Sequence, residues 1–124
     1  LTLDRTIEII VVDTTDDMKN IALDIAKDMA NTFGGFNMYE GIGGWTDANG
    51  ELVQEKHIRV SANAMTLEGH SEAIADMVKK ASVNQDAVSL VIDGTLHIID
   101  TNGGDLAERD MKNIQDFVSG LVDA

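Results

Sequence analysis

The chain has no cysteine and no proline, and only five aromatic residues (one Trp, one Tyr, three Phe) in 124 positions. The missing thiols exclude disulfides, thiolate zinc sites and cysteine nucleophiles. They fit a reducing compartment, and export is compatible with them too. No apolar run approaches the roughly 18 residues of a membrane-spanning helix. The opening stretch LTLDRTIEIIVVD has one arginine and then a β-like run, without the sections of a secretory signal. It starts at Leu1 rather than methionine, so N-terminal processing is expected. Bases are scarce as well, nine against 22 acids, for a net charge of −13. Such a charge repels nucleic acid and anionic membrane, so neither is expected as a direct partner. The acids are spread along the chain rather than gathered into a tail. That suits a surface kept soluble by charge better than the sharper reading, an acidic protein that imitates nucleic acid or docks on a basic partner.

What is present reads as one domain over 1–124, 44% hydrophobic and without repeats or linkers. TIEIIVVD (6–13) is apolar on both phases, as a central strand is. TTDDMKNIALDIAKDMANTFGG (14–35) reads as a helix capped by Thr14 or Thr15 and ended by Gly34 and Gly35. Phe36–Thr46 and Glu51–Ala62 form a hairpin about DANG (47–50). A second helix is expected from TLEGHSEAIADMVKKASVNQ (66–85), with Asn84 as its stop. DAVSLVIDGTLHIID (86–100) is a second hairpin around Asp93-Gly94, the dipeptide a type I′ turn prefers. A third helix follows, capped by Asp105, with Leu106, Ile114, Phe117, Val118 and Leu121 as its apolar stripe. The first six elements match the ferredoxin-like βαββαβ plan, an α+β fold with an antiparallel sheet, here with an extra hairpin strand and a C-terminal helix. That helix must bury its stripe on the second face of the sheet, on a flank, or against another subunit.

The stretch TFGGFNMYEGIGGWTDANGELVQEK resembles a family of small bacterial and phage proteins of unknown function. The shared pattern falls on Phe33, Gly34, Gly44, Trp45, Asp47, Gly50, Leu52 and Glu55. A helix and QDAVSLVIDGTLHII follow, also as in the phage members, so the resemblance spans about residues 5 to 100. It implies a ferredoxin-like fold and brings no established catalytic residues. The lack of cysteine points to the intracellular, phage-like branch.

Alternation along FNMYEGIGGW (36–45) places Phe36, Met38 and Ile42 on the side of the helices, with Ile58 and Val60 across the hairpin. Tyr39, Gly41, Gly43 and Trp45 then share the other face with Val53, Glu55, His57 and Arg59. Read functionally, Tyr39, Trp45, Glu55, His57 and Arg59 are a candidate binding surface, with the glycines leaving a shallow trough between two rings. Read structurally, the third helix or a second subunit covers this face and the rings are core. A bulge at Gly43-Gly44 would turn Trp45 to the other side. GIGG lacks the spacing of a dinucleotide loop, and no Walker pattern occurs. His57 and His97 could ligate a metal with Glu55 if their strands paired, but two separate strand histidines are the plainer reading. DANGE and DTNGGD lack the glycine and glutamate positions of a calcium loop, and no serine has a nucleophile-elbow context.

The expectation is a small non-enzymatic phage or prophage accessory protein. It would act in the cytoplasm on a host protein, need no cofactor or metal, and pair as a homodimer. The alternatives are an acidic nucleic-acid mimic, and a small-molecule binder or enzyme using the sheet face around Tyr39 and Trp45.

Overall fold

The computed structural model describes residues 1–12 and 15–123. The elements run β1 (Arg5–Val12), α1 (Asp16–Phe33), β2 (Asn37–Thr46), β3 (Leu52–Ala64), α2 (Ser71–Ala81), β4 (Ala87–Ile92), β5 (Thr95–Asp100) and α3 (Glu108–Val122), with a short 3₁₀ turn at Asn102–Gly104. The five strands form one sheet in the order β2-β3-β1-β4-β5, and every neighbouring pair is antiparallel. The first four are the ferredoxin-like sheet, and β5 extends it at one edge. The expected strand end at Asp13 and the alternative cap Thr14 lie outside the described residues.

The core follows from strand alternation. Ile7, Ile9 and Val11 of β1, Ile58 and Val60 of β3, and Leu90 of β4 point to one side and are fully buried or nearly so. Against them pack Ala22, Ile25 and Met29 of α1 and Ile74, Met77 and Val78 of α2. Thr15 caps α1, its hydroxyl accepting from the Met18 N–H, and Asp16 and Asp17 sit at the positive end of the helix dipole. Gly34 ends the helix at φ 95°, a left-handed conformation that favours glycine.

α3 packs beside α2 in the same helical layer. Its buried residues are Ile114, Val118 and Val122, while Phe117 stays half exposed. No described element covers the second face of the sheet.

Two helix starts differ from expectation. α2 begins at Ser71 rather than near Thr66. The intervening residues turn instead: the Thr66 hydroxyl accepts from the Glu68 N–H, and the Gly69 N–H donates to Asp123 Oδ1 at 2.7 Å. That bond ties the loop to the end of α3. It is also the main reason the Asp123 carboxyl lies below its ordinary value, aided by the Ser119 hydroxyl. Asp105 does not cap α3. It closes the 3₁₀ turn, and Ala107 is the cap residue, its N–H donating to Asp110 Oδ2 at 2.9 Å. Gly103 and Gly104, at φ 67° and 91°, hold the chain in a turn where a helix was expected to begin.

The β4–β5 turn has positive φ at both Asp93 and Gly94, as type I′ requires. Asp93 also holds the start of β1: Oδ1 accepts from the Thr6 N–H at 3.0 Å and Oδ2 from Arg5 Nε at 2.8 Å. The Thr6 bond is the main cause holding the Asp93 carboxyl below its ordinary value, with Arg5 assisting. A carboxyl depressed in the fold stabilises it above the unfolded pKa of about 3.9 and loses that contribution as pH falls through the folded value. Thermal melts from pH 6 to pH 2 should therefore show Asp93→Asn less stable than wild type at pH 6, with the difference closing below about pH 4.

Candidate functional site

The open face of the sheet is set by register. Tyr39 of β2 pairs with Arg59 of β3, which pairs with Ile10 of β1, then Ser89 of β4 and Ile98 of β5. The next row carries Asn37, Ser61, Glu8, Val91 and Leu96. Tyr39 and Trp45 are 55% and 51% exposed, so both rings face solvent and neither is core. Glu55, His57 and Arg59 share their face, as expected. The phase holds through Gly43-Gly44 without a break, since Trp45 pairs with Val53 in register.

The geometry changes the picture in three respects. The glycine trough is filled. A Cβ built on Gly41 would lie 2.8 Å from His57 Nε2, and one on Gly43 would lie 3.0 Å from His57 Nδ1. The imidazole therefore lies across both glycines. Trp45 stands apart: it lies six positions along the strand from Tyr39, about 20 Å at ~3.3 Å per residue. The hairpin also runs past the last described residue of β1, Val12, which pairs with His57. That is why Ile42, expected under the helices, is exposed; Phe36, at the other end of β2 and also expected there, is exposed where it lines the groove described below. Finally, His57 and His97 do not meet. Strands β1 and β4 lie between theirs, and His97 pairs with buried Leu90 on the helix side, where its ring meets Phe117 edge-to-face at 5.7 Å. Among the described residues no cluster of His, Asp and Glu could hold a metal.

What the face does gather lies at the Tyr39 end. Arg59 Nε stands 3.7 Å from Glu8 Oε2, and the Glu8 side chain is only 19% exposed. Glu8 is absent from the surface expected above. Its signal was present, as the one charged residue inside the apolar run IEIIVV. Just beyond Tyr39, a groove of about 630 Å³ opens where α1 ends and β2 begins. Phe33, Phe36, Asn37, Asn63, Met65 and His70 line it, and Phe33 and His70 meet edge-to-face at 5.3 Å. Asn37 and Asn63 belong to the same face as Tyr39 and Arg59. Asn37 thus belongs both to the lining of the groove and to the cross-strand row that carries Glu8, and the groove is of a size that suits a small molecule.

The glycines can be tested directly. A Gly44 Cβ would meet the Val53 backbone carbonyl at 2.7 Å, whereas the Gly41 contact is a ring that can rotate away. Urea titration should find Gly44→Ala more destabilising than Gly41→Ala, the latter instead displacing the His57 ring resonances in NMR spectra.

No family model matches the chain, and no curated protein matches it. Solved structures do resemble it. A phage SAM lyase in complex with S-methyl-5′-thioadenosine superimposes with a TM-score of 0.56 at 15% identity, covering 77% of this chain and 88% of that one. A phage SAM lyase in the apo state gives 0.55 at 16% identity, covering 84% and 92%. At this identity the likeness shows the fold: α+β, ferredoxin-like. It also overturns the expectation of a non-enzymatic accessory protein: the solved structures that resemble the chain are of a phage SAM lyase.

Proposed function

We propose that the chain is a phage enzyme that cleaves S-adenosylmethionine and releases S-methyl-5′-thioadenosine. The observation that carries this reading is the fold match to phage SAM lyase, one structure of which holds that thioether. The open face supports it chemically. The substrate ends in a zwitterionic amino acid, and the Arg59–Glu8 pair offers a cation for its carboxylate and an anion for its ammonium. Its sulfur is cationic, and the exposed Tyr39 ring beside Arg59 can take a cation on its face. Its adenine is a flat heterocycle, for which the groove supplies Phe33 and Phe36 together with the amides of Asn37 and Asn63. The net charge of −13 draws a cationic substrate from a distance. As the bond from sulfur to the amino-acid arm breaks, its electron pair stays on sulfur, which becomes a neutral thioether, while a carboxylate oxygen of the same arm bonds to the released carbon and the arm departs as a lactone that keeps its ammonium.

Incubation of the purified protein with S-adenosylmethionine, followed by chromatography with mass detection, should show the thioether accumulating with time. A charge-assisted contact contributes about 1.5–3 kcal/mol, so Arg59→Ala and Tyr39→Ala should each lower kcat/KM about tenfold to a hundredfold. Leu52→Ala, at the hairpin tip, should leave it within about twofold. A folded wild-type protein that releases no thioether overturns the reading.

A further inference from the structure

We propose that His70 reads the amino-bearing edge of adenine in the groove beside Phe33, and that Asp123 is the positioning residue that holds it there. The inference rests on the reading of that groove given above and assigns it a selecting residue. Two side chains break local rules at one place, as happens where a site is built. His70 stands at the N-cap of α2, where a short polar side chain ordinarily accepts a backbone N–H. Its side chain makes no capping bond. The half-buried ring lines the groove instead, edge-to-face with Phe33 at 5.3 Å. Asp123 stands at the C-cap of α3, the negative end of the helix dipole, where a carboxylate is unfavourable. Its Oδ1 accepts from the Gly69 N–H and its Oδ2 from the Ser119 hydroxyl, each at 2.7 Å. Neither is the residue its helix asks for. Together they make sense, because Asp123 grips the residue just before His70.

The segment between Thr66 and Ser71 fixes the ring. Leu67 is fully buried, and its carbonyl accepts from the His70 N–H at 3.2 Å. Gly69 between them takes φ 81°, a left-handed conformation that favours glycine, and Asp123 ties it down. The carboxylate also acts on the ring by charge, since His70 is one of the groups that hold Asp123 below its ordinary value. By the same attraction a neutral imidazole keeps its proton on the nitrogen nearer Asp123 and leaves the other as an acceptor. An acceptor suits the amino group of adenine and repels the carbonyl oxygen that hypoxanthine carries at that position. The rest of the lining cannot make this choice. Phe33 and Phe36 offer surfaces that suit either base, and the amides of Asn37 and Asn63 can turn over to suit either.

Isothermal titration calorimetry with S-methyl-5′-thioadenosine and with its inosine counterpart tests this. The wild type should bind the adenine compound roughly two- to tenfold more tightly, the range of one hydrogen bond. His70→Ala and Asp123→Ala should each weaken the adenine compound by about that factor and leave the two compounds nearly equal. Asp123→Asn keeps an oxygen for the Gly69 N–H and removes the charge. It should hold the adenine compound near the wild-type affinity while the inosine compound rises to meet it. A merely structural role would weaken both compounds alike and keep the preference. That result overturns the proposal, as does a preference that survives His70→Ala. A wild type that binds neither compound overturns the reading of the groove itself, and this inference with it. If Asp123→Ala fails to fold, His70→Ala and Asp123→Asn decide.

Discussion

The alternation of β1 divides the molecule. Ile7, Ile9 and Val11 are fully buried and carry the helical layer, each contributing on the order of 1.5–3 kcal/mol by leaving water. A slip of one residue would drive Glu8 and Ile10 into that layer and expose the aliphatic set, so the register is strongly held. Everything on the second face follows from that choice. Glu8 must point away from the helices, and β3, paired through Ile9↔Val60 and Ile10↔Arg59, must present Arg59 on the same side. The ion pair is thus a by-product of core burial, which positions its two partners on neighbouring central strands rather than on loops.

Local chemistry was legible in the sequence wherever it competed with nothing else. Asp93-Gly94 forms its turn, Thr15 its cap and Gly34 its stop, because each satisfies backbone demands within a few residues. The phase of β2 and β3 was legible for the same reason, and with it the shared face of Tyr39, Glu55, His57 and Arg59. The start of α2 was not. Thr66 looks like a cap but accepts from Glu68, two residues on, and the loop is held by Asp123 from the far end of the chain. The docking of α3 was not legible either, since an apolar stripe states that something must cover it and not what. Trp45 shows a different failure. Its distance from Tyr39 follows from strand rise alone, so grouping the two rings overlooked arithmetic already available.

The absence of hydrolase and metal motifs argued against an enzyme, and that inference was weak for a physical reason. Nucleophile elbows and catalytic metals serve substrates with poor leaving groups or weak electrophiles. A sulfonium brings its own leaving group, already charged, and departs as a neutral thioether. A protein that cleaves it needs chiefly to bind, orient and exclude water. Such work falls to ordinary residues such as a tyrosine, an arginine paired with a glutamate, and an apolar groove. None of these makes a spacing motif in sequence, and all of them depend on which strands become neighbours.

The acid excess now has a distribution as well as a size. The open face carries Glu8, Glu55 and Asp100 with Arg59 among them, while most of the carboxylates sit on helices and loops, including Asp16, Asp17, Asp24, Asp28, Glu72, Asp76, Glu108 and Asp116. On the proposed reading, attraction at a distance and recognition at contact would be supplied by different residues. The helical side provides a long-range field that salt screens beyond about 10 Å. The open face of the sheet carries three acids and one base, and on the proposed reading its Arg59–Glu8 pair would meet a zwitterion. Spreading the acids over the sheet as well would strengthen the first effect and ruin the second, because surplus carboxylates around Arg59 would compete with the carboxylate of the ligand.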